Sequence, residues 1–332
     1  MKRVIIVGMG SIGIRHARIC LQLPDLKVEL CDPRQAGLVE AQACLGALSC
    51  WSTWERAVAS KPDLMIIATP HHLHSEMVCQ AMEAGIDVLC EKPMSDSAEG
   101  ALRMARTAST TGRTLRIGFM LRFQPAIIHL RSLLKEGVLG NLISIRYHIG
   151  SMITLENSRS RYQSSLPGAL VMDYVHGLDL MLWLTGVTPT GVYARGLNTG
   201  NLPLTASPTL FSAIIDFAAP LLGEIHMDYA AKPQLHELLL VGDRAMARLE
   251  LAEGKIEVRH REENRREEVA FSFDRDELYA QQMVEFLAAV DGGDSTGCQP
   301  DEGVLSTLLM QRLLESAREQ THLCFNPELA EV

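Results

Sequence analysis

The chain has 332 residues, which is too long for one ordinary core, so its length predicts two domains. Hydrophobic residues make up 47% of the sequence and supply packed interiors, while the net charge of -9 argues against binding to nucleic acid or to an anionic membrane surface. The sequence contains no run of about 18 apolar residues, so it predicts no membrane span.

The first predicted element is a strand over Val4–Val7, a short apolar run rich in the β-branched residues of buried parallel strands. A GxGxxG motif occupies residues 8–13 directly after it, and the segment Ile14–Leu23 predicts a helix that stops near Pro24. Strand, glycine motif and helix thus stand in the order that a dinucleotide-binding βαβ unit requires.

The glycines of this motif have separate roles in binding a dinucleotide. Gly8 permits the tight turn, Gly10 lets the backbone approach a pyrophosphate, and Gly13 lets the helix and the strand pack closely. The N-terminus of the helix adds N–H groups and the positive end of its dipole. The predicted cofactor contacts are Gly8, Gly10, Ser11, Ile12 and Gly13.

A second strand is predicted over Lys27–Cys31, and Asp32 follows it. This acid lies 19 residues after Gly13, close to the ~20-residue spacing at which an acid binds the ribose 2′-OH. A carboxylate there accepts hydrogen bonds from the 2′-OH and repels a 2′-phosphate, which favours NAD over NADP. Arg34 keeps NADP open as an alternative, because an arginine just after this strand can pair with a 2′-phosphate.

A further apolar strand is predicted over residues 62–68, and a histidine-rich turn follows it. Its HHxH pattern at 71–74 fits no common zinc motif, so the sequence predicts no metal site. Loops after the strands of such sheets line the nucleotide crevice, which makes this turn a candidate cofactor contact. The candidate residues are Thr69, Pro70, His71 and His74. For His74, capping or packing of the helix predicted over Ser75–Ala84 is an equal alternative.

The strand predicted over Gly85–Cys90 leads into the motif EKP at residues 91–93. A lysine at the carboxyl end of a strand in a nucleotide crevice can donate a hydrogen bond to a substrate oxygen and stabilise the negative charge that develops on it. Lys92 is therefore a candidate catalytic and substrate-binding residue, against the alternative of an exposed lysine on a loop. Ser97 is predicted to be the N-cap of the next helix, without a capping box.

A strand over Leu115–Phe119 completes a predicted dinucleotide-binding domain, residues 1–119. The second domain, residues 120–332, is expected to bind substrate and to mediate association between copies of the chain. It opens with a helix predicted from Arg122 to about Glu136, followed by an alternating strand over Leu142–Ile149.

The segment Gly168–Gly186 is almost wholly apolar and is predicted to form one helix. Its charged or readily titrating residues are Asp173, His176 and Asp179, and steps of three make them neighbours on a helix surface. Burying such groups on an apolar helix is costly unless they pair or take part in chemistry, which points to a functional site. His176 is suited to accept a hydroxyl proton, because imidazole titrates near neutral pH.

Asp173 is a candidate to orient His176 or to bind a substrate hydroxyl, whereas Asp179 is expected to have a partner within the protein. The alternative is a satisfied core histidine with two helix acids. A polar loop before the helix is either solvated or binds a carboxylate or phosphate of the substrate. Its candidate residues are Arg159, Arg161 and Tyr162.

Four motifs in this order resemble those of the Gfo/Idh/MocA oxidoreductases, the family of glucose-fructose oxidoreductase and inositol dehydrogenase: GxGxxG at 8–13, TPxxxH at 69–74, EKP at 91–93 and GFxxRFxP at 118–125. The resemblance implies an N-terminal Rossmann domain and a C-terminal α/β domain with a large open sheet. It also implies NAD(P)-linked oxidation or reduction of a sugar, polyol or related carbonyl compound. The same motifs imply cofactor contacts at Glu91, Lys92 and Arg122.

The family's second-domain motif, commonly GGGxxxDxGxHxxDxxxWLxG, is altered in this chain. Pro167–Gly168 stands in place of the glycine run, and Asp173 lies three rather than four residues before His176, so that Met172 occupies the usual Asp position. The chain resembles a DxxHxxD variant of the family, which keeps His176 and leaves the substrate role of Asp173 open.

Seven β-runs follow Gly186 and predict a large, mostly antiparallel sheet. The runs are Gly191–Leu197, Leu210–Phe217, Gly223–Tyr229, Leu235–Val241, Ala245–Leu251, Lys255–His260 and Glu268–Phe273. A mixed-charge run at 261–268 indicates a solvated hairpin tip. Two helices are predicted after the sheet, one that ends near Asp291 and a last one over about Asp301–Gln320. One face of such a sheet leaves apolar area uncovered, which predicts a homodimer or homotetramer through it.

Together these features predict an α/β protein with an N-terminal doubly wound parallel Rossmann sheet and a C-terminal α+β domain. The predicted activity is that of an NAD-dependent dehydrogenase or reductase of a sugar-like secondary alcohol or ketone, in which Lys92 polarises the oxygen and His176 exchanges the proton. The alternatives are a non-catalytic dinucleotide-sensing regulator, a redox glycoside hydrolase that keeps NAD bound, and an NADP-linked enzyme. The eight cysteines show no CxxC pair or metal-type spacing, which favours a reducing, cytoplasmic setting.

Overall fold

The structure is a computed structural model that describes residues 1–157, 161–262 and 265–326. These residues form two compact units: the first contains Met1–Met120 and Asp274–Thr307, and the second contains the described residues of 121–273 and 308–326. Within the described ranges, every helix is too short or too polar to cross a membrane.

The first unit is built on a parallel sheet of short, buried strands. The strands are β1 (Lys2–Val7), β2 (Leu26–Cys31), β3 (Ser49–Trp51), β4 (Leu64–Ile67), β5 (Asp87–Cys90) and β6 (Leu115–Ile117). Among the described residues these six pair in the order β3-β2-β1-β4-β5-β6, and Val4, Ile5 and Ile6 at its centre are 0% exposed. This order is that of the doubly wound Rossmann sheet, so the predicted class of the first unit is confirmed.

Helices connect these strands. They are α1 (Ser11–Cys20), α2 (Gln35–Leu45), α3 (Trp54–Ala59), α4 (His74–Glu83) and α5 (Ala98–Thr111). Helix α1 begins inside the glycine motif, three residues before its predicted start at Ile14. Ser97 caps α5 as predicted, since its side chain accepts a hydrogen bond from the N–H of Gly100 at 3.1 Å.

The second unit is built on a large mixed sheet. Its strands are β7 (Leu142–Gly150), β8 (Pro189–Leu197), β9 (Leu210–Phe217), β10 (Leu222–Asp228), β11 (Leu235–Gly242), β12 (Ala245–Glu250), β13 (Lys255–His260), β14 (Arg266–Ala270) and β15 (Leu323–Cys324). Among the described residues these nine pair in the order β14-β13-β12-β11-β7-β10-β9-β8-β15. Strands β7 and β10 pair in parallel and the other neighbours pair antiparallel, so the predicted, mostly antiparallel sheet is confirmed.

Alternate residues of these strands define two faces of the sheet. The covered face contains buried side chains such as Tyr147, Ile225 and Leu238, which are neighbours in the registers of β7, β10 and β11. The other face, called the open face below, contains the residues between them, including His148 and His226. Tyr147 and His148 therefore face opposite sides, as the alternation predicts.

The helices of the second unit include α6 (Pro125–Lys135), α7 (Ile153–Glu156), α8 (Ala169–Asp173) and α9 (His176–Thr185). The prediction of one continuous helix over Gly168–Gly186 is wrong, because the chain leaves the helical conformation at Tyr174 between α8 and α9. Asp173 therefore ends one helix and His176 begins the next, and the helical three-residue spacing does not relate them.

Two long helices follow the sheet: α10 (Arg275–Val290) and α11 (Pro300–Glu319). Sequence analysis assigns residues 274–307 to the second domain, whereas the structure groups them with the first unit. The contacts explain this grouping, because Asp276 of α10 accepts a hydrogen bond from Arg15 of α1 at 2.7 Å and the ring of Tyr279 packs edge-on against His16, with ring centroids 5.3 Å apart.

Candidate functional site

The glycine turn of the first unit has the geometry that a dinucleotide needs. Gly8 has a φ of +94°, and a Cβ there would lie 2.6 Å from the carbonyl oxygen of Ala68. A Cβ at Gly13 would lie 1.9 Å from the carbonyl oxygen of Gly8, so α1 could not pack against the turn with a larger residue. By contrast, a Cβ at Gly10 meets nothing within 4 Å, which leaves open space beside the N-terminal N–H groups of α1. The turn therefore fits a pyrophosphate.

Asp32 follows β2 and is almost fully buried beside this turn. Its Oδ2 accepts a hydrogen bond from the N–H of Met9 at 2.7 Å, and its Oδ1 accepts one from the N–H of Arg34 at 2.8 Å. The guanidinium of Arg34 donates to both oxygens, at 3.1 and 2.9 Å. Burial acts to raise the pKa of Asp32, but these hydrogen bonds outweigh it and hold the pKa below its usual value. Asp32 is thus a carboxylate at neutral pH.

The turns after β1, β4 and β5 lie at one edge of this sheet. Val7 pairs with Ile67, and Ile67 pairs with the last residue of β5, so the strands end at the same level. The N–H of Ala68 donates to the carbonyl oxygen of Val7 at 2.8 Å, and the N–H of Glu91 donates to that of Ile67 at 2.9 Å. The hydrogen bonding between neighbouring strands therefore continues for one residue beyond β4 and β5. The glycine motif, the Thr-Pro turn and Lys92 therefore share the carboxyl edge at which open α/β sheets bind ligands.

His74 joins two of these turns. Its Nδ1 and Nε2 lie 3.0 Å and 2.9 Å from the carbonyl oxygens of Pro93 and Thr69, and the side chain is buried at the start of α4. Burial lowers the pKa of His74, so the neutral ring donates to one of these oxygens. Burial and the neighbouring His74 also lower the pKa of His71, to about 4. These contacts make His74 a positioning residue of the turn that contains Lys92.

Glu91 is buried, and the residues around it fix its carboxylate. Nε2 of His16 donates to its Oε1 at 2.8 Å, and the N–H of Lys92 donates to its Oε2 at 3.3 Å. A Cβ at Gly118 would lie 3.0 Å from the carboxyl carbon, a tight contact that the glycine avoids. The half-buried Lys92 thus lies in a turn that is held by the hydrogen bonds of Glu91. Sequence reasoning missed His16, because nothing in the α1 pattern distinguishes a buried polar histidine from an exposed one.

Asp173, at the end of α8, accepts hydrogen bonds from neighbouring side chains of the second unit. The hydroxyl of Tyr162 donates to Oδ1, the hydroxyl of Tyr229 donates to Oδ2, and the amide of Gln163 donates to Oδ2 at 3.2 Å. Burial, together with the charge of Asp173, raises the pKa of Tyr229 far above its usual value, so its phenol keeps the proton that it donates. Both oxygens of Asp173 are therefore engaged by the protein.

His176 begins α9 and is half-buried. Gly177 lets this end of the helix approach the covered face, because a Cβ there would lie 2.4 Å from the ring of Tyr147. The hydroxyl of Tyr147 lies 2.7 Å from Nε2 of His236 on β11, and burial lowers the pKa of His236 to about 4. His176 is thus followed by a glycine that packs against Tyr147, a contact that sequence reasoning missed.

Arg122 lies in a short 3-10 turn, Met120–Phe123, so it does not open a helix as predicted; α6 starts at Pro125 instead. Its guanidinium donates to both oxygens of Asp179, with Nε at 2.9 Å from Oδ2, and each side chain is 2% exposed. Its Cζ lies 5.2 Å from the ring centroid of Trp183. As expected, Asp179 has a partner within the protein.

The predicted residues fall into two groups. The glycine motif, Asp32, Arg34, Thr69, Pro70, His71, His74, Glu91 and Lys92 belong to the first unit. Arg122, Tyr162, Asp173 and His176 belong to the second. The predicted loop residue Arg159 lies outside the described residues, and the hairpin tip predicted at 261–268 is described except for residues 263 and 264.

The turn after β1 and the strand order around it define a dinucleotide-binding Rossmann unit. Residues 2–119 match the family model described as "Oxidoreductase family, NAD-binding Rossmann fold", and residues 127–248 match the "GFO/IDH/MocA C-terminal domain". The chain belongs to the Gfo/Idh/MocA oxidoreductase family.

Curated relatives agree with this assignment, and a solved structure shares the fold. An inositol 2-dehydrogenase from Corynebacterium glutamicum is 27% identical over 231 residues, which cover 68% of this chain and 66% of that protein. The rhizopine catabolism protein MocA from Rhizobium meliloti is 31% identical over 189 residues, which cover 57% of this chain and 58% of that protein. The matches thus span less than two thirds of these relatives. A levoglucosan dehydrogenase in complex with NADH and L-sorbose has the same fold, with a TM-score of 0.87 at 19% identity over 98% of this chain and 99% of that one.

Proposed function

We propose that this chain is an NAD-dependent oxidoreductase that transfers a hydride between nicotinamide and a secondary alcohol or ketone of a sugar, polyol or related compound. The observation that carries the proposal is the common edge of β1, β4 and β5, where the glycine turn and Lys92 follow strands that end at one level. Family membership and relatives named as dehydrogenases of inositol and levoglucosan support it.

The cofactor would be held by the first unit. The open space at Gly10 and the N-terminus of α1 suit a pyrophosphate, and the Asp32 carboxylate suits a ribose diol. When bound, NAD accepts a hydride from the carbon that carries the substrate hydroxyl. Arg34 is already paired with Asp32, and a 2′-phosphate would face that carboxylate, so NAD is favoured over NADP.

The chemistry assigned to this chain's own residues is the stabilisation of charge and the movement of one proton. Lys92 donates a hydrogen bond to the substrate oxygen, on which negative charge develops. His176 accepts the hydroxyl proton on oxidation and returns it on reduction. Glu91 and His74 are positioning residues for Lys92, while Asp173 and Tyr162 orient the substrate or hold the loop before α8, since they are already hydrogen-bonded to each other.

A dehydrogenase screen tests this function. The purified chain is mixed with NAD or NADP and with inositols, aldoses, anhydrosugars, amino sugars and sugar acids, and the absorbance of the reduced cofactor is followed. We expect reduction of NAD by at least one polyhydroxy compound, with a much weaker signal for NADP. Tight NADH binding without turnover across the panel contradicts catalysis and supports a sensor, whereas cleavage of a glycosidic bond without net NADH supports the glycoside hydrolase alternative.

We also propose that copies of the chain associate through the open face as a homodimer or homotetramer. Tyr193 of β8 and Ile214 of β9 are register partners on this face, and they are 36% and 43% exposed. Leu197, on the same face, is 54% exposed. Adjacent exposed apolar side chains on one sheet face are typical of an association surface.

Light scattering on two variants tests the association. We expect Ile214→Glu to lower the measured mass to that of one chain, because it would bury a carboxylate in the interface. The matched control is Ile128→Glu, whose isoleucine is 49% exposed on α6, and it should keep the wild-type mass. A wild-type protein that is already monomeric contradicts the proposal.

A reducing, cytoplasmic setting is proposed from the cysteines. All eight fall within the described residues and are free thiols. Burial raises the pKa of Cys20 and of Cys31 to about 12, which keeps these thiols protonated and unreactive. Their use as small apolar residues suits a compartment in which disulfides do not form.

A further inference from the structure

Three potential metal ligands lie together on the open face of the second unit. His148 is on β7 and His226 and Asp228 are on the parallel neighbour β10, with His148 and His226 paired in register. One donor atom from each residue lies within 4.8 Å of the others, and the two imidazole centroids are 4.5 Å apart. We propose that these residues form a binding site for a divalent transition metal such as Zn²⁺.

The donor set suits that class of metal. Imidazole nitrogen and carboxylate oxygen are ligands of Zn²⁺ and of neighbouring transition metals, and a tetrahedral site with three protein ligands keeps its fourth position for water. Nε2 of His226 lies 3.4 Å from Oδ2 of Asp228, which equals the ~3.4 Å edge of a tetrahedron with bonds of about 2.1 Å. The remaining donor, on His148, lies within 4.8 Å of the other two and moves closer to them when one ion is shared.

The surrounding residues orient two of the ligands. Nδ1 of His226 lies 2.7 Å from the hydroxyl of Ser212 on β9, and donation to this hydroxyl leaves the lone pair of Nε2 directed at Asp228. Oδ1 of Asp228 accepts hydrogen bonds from the N–H groups of Ala230 and Ala231, both at 2.7 Å, so Oδ2 faces the histidine. Such outer hydrogen bonds are typical of metal sites.

The two other charged residues next to the cluster in the strand registers are each paired with another side chain. Glu237 is the register partner of His148 on β11 and is paired with Arg248, so it is not counted as a ligand. Arg146, two residues before His148, is paired with Glu224.

Zinc binding to the full-length chain tests the site. The protein is stripped with EDTA, its exposed cysteines (Cys44, Cys50 and Cys324) are alkylated because thiolates also bind zinc, and ZnCl2 is added in a calorimeter. We expect one equivalent to bind per chain. His226→Ala and Asp228→Asn should each weaken binding more than tenfold, and Ser212→Ala should weaken it by about tenfold through loss of the outer hydrogen bond.

The matched control is His322→Ala. Nε2 of His322 lies 3.0 Å from Oδ2 of Asp216, so this variant removes a histidine from a His–Asp pair that is outside the cluster. It should bind zinc like the wild type. In Asp228→Asn the amide oxygen can still accept from Ala230 and Ala231, so this variant separates loss of a ligand from loss of the turn. Thermal unfolding and light scattering verify that folding and oligomeric state are kept.

Cobalt substitution gives an independent readout. Co²⁺ added to the alkylated wild type should produce the intense visible absorption of a tetrahedral site, without a thiolate charge-transfer band, and His148→Ala should abolish it. Zinc binding that is equal in His226→Ala and in the wild type overturns the proposal, and so does the absence of zinc binding after alkylation. His226 and Asp228 would then be an ordinary ion pair.

Discussion

Replacement of Lys92 by methionine is expected to lower kcat by about 10²–10³-fold, with little change in the Kd for NADH. Lys92 follows β5 at the sheet edge that also carries the glycine turn, and its backbone N–H is bonded to the buried Glu91. Methionine keeps most of the side-chain length and removes the ammonium group that is proposed to stabilise charge on the substrate oxygen. Because no cofactor contact of the glycine turn changes, the loss should fall on turnover.

The measurement is a steady-state assay with the substrate found in the screen, together with a fluorescence titration of NADH. Lys135→Met is the matched control, since Lys135 is exposed at the end of α6, and it should keep the wild-type kcat. His176→Gln should also lower kcat, by a factor that shrinks as the pH rises and hydroxide replaces the missing base. Wild-type turnover in both Lys92→Met and His176→Gln would refute the proposed roles.

The elements that the sequence predicts well are those whose signal is local. A glycine that must adopt a φ of +94°, followed by one that must contact a carbonyl, leaves a motif that spacing alone reveals. The strands of both sheets are likewise visible, because buried parallel strands are apolar throughout and the strands of the second sheet alternate. Leu210–Phe217 and Lys255–His260 have the predicted bounds.

The missed elements depend on contacts that are distant in sequence. Strand β3 has three residues, too few to show an alternating pattern. In α2 the adjacent apolar residues Leu38 and Val39 are 2% and 56% exposed, so the apolar residues of this helix do not mark a single buried face. The break at Tyr174 interrupts a segment that is apolar on both sides of it, and apolar content alone does not reveal a break.

The candidate site shows the same limit. Lys92 and His176 are predicted from short motifs, whereas the residues that hold their surroundings, such as His16 and Gly177, act through distant partners. The cluster of His148, His226 and Asp228 arises from strand pairing across 78 residues, which no spacing rule for metal ligands describes. The HHxH turn, by contrast, contains closely spaced histidines like those of metal-binding motifs. Both ring nitrogens of its His74 face carbonyl oxygens, however, and are therefore not directed at a metal.

Replacement of Asp179 by alanine is expected to destabilise the second unit by about 3–5 kcal/mol, the usual cost of leaving one partner of a buried ion pair without the other. Arg122 and Asp179 are each 2% exposed, and the guanidinium donates to both carboxylate oxygens. In Asp179→Ala the charged guanidinium stays buried, and its contact with the face of Trp183 does not replace a carboxylate. The shift of the urea-unfolding midpoint, followed by circular dichroism, measures the loss.

The control is Glu156→Ala, which breaks the pair of Glu156 of α7 with Lys232, outside the strands of the sheet, where the two side chains are 36% and 55% exposed. A pair in solvent contributes less than about 1 kcal/mol, so the midpoint should hardly move. The double variant Arg122→Met/Asp179→Leu should recover most of the stability, because it removes both buried charges together. If that double variant also keeps the wild-type Kd for NADH, Arg122 is a structural residue and the predicted cofactor contact is wrong. A midpoint that shifts no more in Asp179→Ala than in Glu156→Ala would instead contradict the structural role of Arg122 and favour its role at the cofactor.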